Sequence, residues 1–104
     1  MSNTATNPPL SIAGEFNIFT ASETKPRLIE AIKLHADQEI EVDLSGVTEI
    51  DTAGLQLMVM AKRFAADNGK SILFTRHSAA VLQLIDLCGM SGFFGDPILI
   101  SSNP

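Results

Sequence analysis

Glu39-Ile-Glu-Val-Asp-Leu44 alternates acidic and apolar side chains without a break. In an extended strand successive side chains point to opposite faces, so Ile40, Val42 and Leu44 share one face while Glu39, Glu41 and Asp43 share the other. Central strands of a parallel sheet covered on both sides read as continuous apolar runs. A strand that turns its carboxylates outward therefore belongs to a sheet with helices stacked on a single side, which excludes the three-layer sandwich.

The flanking segments supply the other elements. Leu10 to Phe16, with apolar positions alternating around Gly14, predicts an opening strand or hairpin. Thr20-Ala-Ser-Glu23 has the spacing of a capping box, and Leu28, Ile29, Ile32 and Ala36 recur at helical spacing, giving a first helix that ends at Leu34. Pro26 lies past the first turn, so the regular helix is expected to begin near Thr24. Ser45 to Glu49 reads as a loop. A second helix follows Asp51 and runs to about Asn68, where Asn68-Gly69 stops it. Ser71 to Thr75 reads as a strand, and Ser78 caps a third helix whose Val81, Leu84, Ile85 and Cys88 form one stripe before Gly89. Ile98 to Ile100, after Pro97, predicts a short closing strand. Strands that alternate with helices over short connections make one α/β domain with parallel neighbours. The expected fold is a four- or five-stranded, mostly parallel sheet with helices mainly on one face, spanning residues 10–101 between flexible tails at 1–9 and 102–104.

Composition narrows the function. A chain of 104 residues with 45% hydrophobic and 18% charged residues is one folded domain. Seven Lys and Arg against twelve Asp and Glu give a net charge of −5, which disfavours direct contact with a phosphate backbone. No run approaches the roughly 20 apolar residues of a spanning helix, and the N-terminus lacks a signal peptide's basic start and apolar core, so the expected location is the cytoplasm.

Signatures of catalysis are missing. Gly69-Lys70-Ser71 resembles the end of a phosphate loop, but Phe64 stands where the first glycine belongs and the order is helix to strand. Gly89, Gly92 and Gly95 follow a helix and do not match the dinucleotide fingerprint. His35, His77 and Cys88 have no ligating spacing, and Cys88 reads as a small core residue. No Ser, His and acid arrangement is legible. The expectation is a non-enzymatic protein with no metal and no cofactor.

The junction Asp51-Thr52 stands out. Asp51 suits an N-cap, Thr52 then places its hydroxyl at the positive end of the helix dipole, and Gly54 permits close backbone approach. The plain alternative is that Asp51 caps, Thr52 is incidental and Gly54 packs. On a helical wheel Leu57, Met60, Ala61 and Phe64 form a core stripe, with Gln56, Lys62 and Arg63 opposite. Leu55, Met58 and Val59 fall on the outer side beside Thr52, so they are expected to form an exposed docking patch. A phosphate on Thr52 would add roughly 1.5 to 2 negative charges at a helix N-terminus, leaving the fold intact while opposing a docked partner.

Val42-Asp-Leu-Ser-Gly-Val-Thr-Glu-Ile-Asp-Thr-Ala-Gly-Leu55, with Gly69-Lys-Ser-Ile-Leu73 and Ser78 through Gly89, resembles the STAS domain of bacterial anti-sigma factor antagonists. The likeness extends from about Gly14 to Gly89. It implies partner switching: the unphosphorylated antagonist binds an anti-sigma factor that is a serine/threonine kinase and frees the sigma factor, and it lets go once that kinase phosphorylates the hydroxyl residue after the aspartate; the implied protein partner is that kinase or a phosphatase. The matching positions are Asp51 and Thr52, with Ala53 where a second serine is common. Gly14-Glu-Phe-Asn17 matches a Gly-Glu-Leu-Asp segment, with Asn17 in place of an aspartate near the switch. The implied partner-binding set is Asp51, Thr52, Leu55, Met58, Val59 and Asn17. Thr-Ala-Gly-Leu-Gln also resembles a STAS subunit that binds the ATPase of a phospholipid-transport ABC assembly, and chemotaxis-associated STAS proteins that would meet a chemotaxis kinase; there Thr52 would be an unphosphorylated contact.

Overall fold

The computed structural model describes residues 10–90 and Gly92. Along the chain run β1 (Leu10–Phe16), α1 (Ala21–Leu34), β2 (Glu39–Ile50), α2 (Thr52–Asp67), β3 (Ser71–Thr75) and α3 (Ala79–Leu87). The strands form one sheet in the order β1-β2-β3, and both pairings are parallel. Helices α1 and α2 are thus the crossovers between neighbouring strands.

The alternation in β2 sets the two faces of the sheet. Ile40, Val42 and Leu44 are buried, while Glu39 and Glu41 are exposed and Asp43 is half-buried. Ile12 and Phe16 of β1 and Ile72 and Phe74 of β3 join the buried face, against Leu28 and Ile32 of α1, Met58, Ala61 and Ala65 of α2, and Val81 and Ile85 of α3. Ser11, Ala13, Glu15 and Ser71 carry the open face outward. The one-sided arrangement follows from the sequence pattern.

Several local expectations change. β1 is a strand parallel to β2, not a hairpin. Ser45 to Glu49 is not a loop: β2 continues to Ile50 because β1 pairs with it through Gly14↔Val47, Glu15↔Glu49 and Phe16↔Ile50. Gly14, at φ +77, sits where that ladder breaks step, a backbone shape that glycine adopts at no steric cost. Helix α1 begins at Ala21, before Pro26, and the Thr20 side chain does not cap it. The Thr20 hydroxyl donates instead to the Glu15 carbonyl at 3.0 Å. Cys88 is exposed, not core, because α3 ends at Leu87 and carries Cys88 past the buried stripe of Val81 and Ile85. Ser78 does cap α3, its Oγ accepting from the Val81 N–H. Three strands lie among the described residues; the closing strand expected at Ile98 to Ile100 and the tails 1–9 and 102–104 lie outside them.

Candidate partner-binding site

β1 and β2 end side by side, which brings the turn after Phe16 against the start of α2. The Asp51 N–H donates to the Phe16 carbonyl at 3.4 Å, so the chain leaves β2 still bound to β1. Asp51 is extended, and its Oδ1 accepts from the N–H groups of Ala53 at 2.9 Å and Gly54 at 3.1 Å. Two of the donors left open at the helix start are thereby satisfied. Its Oδ2 accepts from the Ile18 N–H at 3.1 Å, across 33 positions of sequence. One carboxylate therefore caps α2 and fastens the β1–α1 turn to it.

Gly54 makes this junction possible. A Cβ there would run into the Phe16 carbonyl oxygen and stand 3.0 Å from Ile50 Cγ1. The close approach expected from the sequence is present, and its partner is the end of β1.

Thr52, the first residue of α2, is exposed, and no described residue hydrogen-bonds its hydroxyl. Asn17, which precedes the Ile18 held by Asp51, faces inward: it is 7% exposed, and its Oδ1 accepts from the N–H groups of Phe19 at 2.9 Å and Thr20 at 3.2 Å. An amide here shapes the turn, which leaves its neighbours to present the surface.

Leu55, Met58 and Val59 are not the outward patch that the helical wheel suggests. They are 3%, 0% and 9% exposed. Helix α2 packs against β2, β3, α1 and α3, and its buried side runs from Leu57 and Ala61 through Ala65 and Met58 to Leu55 and Val59, while Gln56, Arg63, Ala66 and Asp67 are exposed. The apolar surface beside Thr52 comes instead from Ile18, 64% exposed, and Phe19, 83% exposed. Their only sequence signal is a pair of adjacent large apolar residues between Asn17 and Thr20, and nothing local says that it meets the start of α2.

Among the described residues no group of His, Cys, Asp and Glu is placed to hold a metal ion, and no helix is long and apolar enough to cross a membrane.

The family model described as "Mlab, STAS domain" matches residues 2–100. The chain belongs to the STAS domain family. Solved structures share its fold at low identity. The anti-sigma factor antagonist SpoIIAA in its unphosphorylated form aligns with a TM-score of 0.57 at 14% identity, covering 74% of this chain and 70% of that one. The STAS domain of a SulP transporter from Vibrio cholerae aligns with a TM-score of 0.60 at 16% identity, covering 86% of this chain and 72% of that one. STAS domains generally mediate protein–protein contacts, and their family is generally regulatory rather than enzymatic.

Proposed function

We propose that this STAS chain is a partner-switching regulator of the cytoplasm: unphosphorylated, it binds an anti-sigma factor that is also a serine/threonine kinase, and phosphorylation of Thr52 releases it. The observation that carries this reading is an exposed, unbonded hydroxyl residue at the head of α2, next to an aspartate that joins α2 to the exposed Ile18 and Phe19. A hydroxyl in that place is open to a kinase, and a dianion there resists burial against an apolar contact. The likeness to an antagonist whose phosphorylation state is part of its description supports it. Asp51, Thr52 and Asn17 act as contact and positioning residues; Leu55, Met58 and Val59 serve the core.

The likeness to a transporter's STAS domain favours a second reading, in which the chain is a subunit of a transport assembly and Thr52 is a contact that is never modified. One experiment separates them. The chain is incubated with ATP and each histidine-kinase-like serine/threonine kinase of its host, and Thr52 is followed by mass spectrometry. Phosphate on Thr52 with loss of kinase binding supports the switch. No phosphate with any kinase, together with stable binding to a transporter ATPase, overturns it.

A further inference from the structure

Among the described residues the large apolar side chains that reach solvent are Ile18, Phe19, Leu34 and Leu87. Leu34 and Leu87 are the last residues of α1 and α3, each without a second exposed large apolar residue adjacent to it in the chain. Ile18 and Phe19 differ, because the backbone that carries them is held at consecutive positions. The Asn17 N–H donates to Thr20 Oγ1 at 3.0 Å, the Ile18 N–H to Asp51 Oδ2 at 3.1 Å, and the Phe19 N–H to Asn17 Oδ1 at 2.9 Å. Turns ordinarily put Gly, Asn, Asp or Ser at the tip. Here polar side chains fix a backbone whose tip is apolar. An apolar tip fixed in advance loses little freedom when it docks, which is how a rigid anchor gains affinity.

The charge around the tip says what kind of pocket suits it. Residues 15–24 and 49–56 contain Glu15, Glu23, Glu49 and Asp51, and the first basic residue after the tip is Lys25, in the second turn of α1. A second copy of a chain of net charge −5 would bring the same carboxylates against these, and like charges in juxtaposition oppose association.

We propose that Phe19, with Ile18, is the anchor by which this chain enters an apolar pocket rimmed by Lys or Arg on its partner protein, and that Asp51 holds the anchor in place. This rests on the partner-switching reading and names the partner surface that it requires. It also fixes how Thr52 acts. A phosphate adds to the negative field that attracts a basic rim, so release does not come from slower encounter. To the cost of burying the dianion is added the response of the neighbouring carboxylate: a dianion one residue from Asp51 repels it, weakens the bond from Oδ2 to the Ile18 N–H, and loosens the tip.

The test uses the ¹⁵N-labelled full chain and two probes, β-cyclodextrin, an uncharged apolar cavity, and its per-amino derivative, the same cavity with an ammonium rim. Titration should move the amide signals of Ile18, Phe19 and Thr20, with the amino form binding about tenfold tighter at low salt and losing that margin as salt is raised. Phe19→Ala, at an exposed position that the core does not need, should abolish these shifts. Thr52→Glu should speed exchange of the Ile18 amide while those of Ala53 and Gly54 stay protected. Shifts confined to Leu34 or Leu87, equal binding of both probes, or unchanged binding by Phe19→Ala would overturn the anchor. An Ile18 amide equally protected in Thr52→Glu would overturn the coupling. The kinase experiment is independent: phosphate on Thr52 with an unresponsive Phe19 sinks the anchor alone, and a responsive Phe19 with no phosphate on Thr52 sinks the switch alone.

Discussion

At Gly54 two residue-scale effects oppose each other. Replacing a helical glycine by alanine ordinarily stabilises by roughly 1 kcal/mol. The new methyl group would meet the Phe16 carbonyl oxygen, however, a backbone atom fixed by the end of β1 that cannot rotate away. Overpacking of this kind costs about 1–3 kcal/mol, so the clash outweighs the gain in helix propensity. Gly54→Ala should lower the urea midpoint with an unchanged m-value. Asp43 makes a second residue-scale case, this time in pH. The Ser45 N–H, donating at 2.7 Å, holds the Asp43 carboxyl below its ordinary 3.8, helped by the Ser45 hydroxyl and weakly by Arg76, with burial opposing. A folded-state value below the unfolded one contributes stability that is complete above the unfolded value and lost as pH falls through the folded one. Urea unfolding of the native chain and of Asp43→Asn should therefore differ by a constant amount near neutrality, and the gap should close as pH drops below 3.8.

Elements are tied together by side chains that cross between them, and Lys70 is the clearest. Helix α1 passes into an extended backbone at His35 with no glycine, so its last carbonyls need another donor. Lys70, at the entrance to β3, supplies it: its Nζ donates to the carbonyls of Ile32 at 2.6 Å and His35 at 2.7 Å, and its charge complements the negative end of the helix. Lys70→Met keeps the stem and removes the donor. It should cost about 1–2 kcal/mol and raise amide exchange in the last turn of α1, with β2 unaffected. This tie is illegible in the sequence, because it joins positions 38 residues apart. The same limit explains other differences. Glu39 to Leu44 is legible since its period of two is complete within the segment, whereas Ser45 to Glu49 becomes strand only because β1 lies alongside. The expected patch on α2 fails because a wheel centred on Leu57, Met60, Ala61 and Phe64 sets the helix at the wrong rotation: Gln56, Arg63 and Asp67 mark the exposed side, and Met60 and Phe64 lie half-buried at its edge.

At the scale of the whole molecule, the sequence marks Asp51 and Thr52 of the candidate site and gives no sign that Ile18 is bound to Asp51. Asp51 and Thr52 are readable because a cap and the first helical residue are local features. Ile18 and Phe19 come next to Asp51 only through a hydrogen bond that the parallel pairing of β1 with β2 makes possible. The proposed switch requires a fold that stays standing, since a partner released by unfolding could not be rebound by simple dephosphorylation. A phosphate on Thr52 would carry the net charge from −5 to about −7, yet it would sit exposed at the positive end of the α2 dipole, where negative charge is tolerated. Thr52→Glu should therefore shift the melting temperature by no more than about 3 °C, in keeping with an exposed position. Met58→Ala, further along the same helix but fully buried, should lose about 2–4 kcal/mol and melt about 10 °C lower or more. A differential scan of both variants beside the native chain measures the contrast. If Thr52→Glu melts as early as Met58→Ala, the junction at Asp51 is part of the structural core and the chain cannot switch without coming apart.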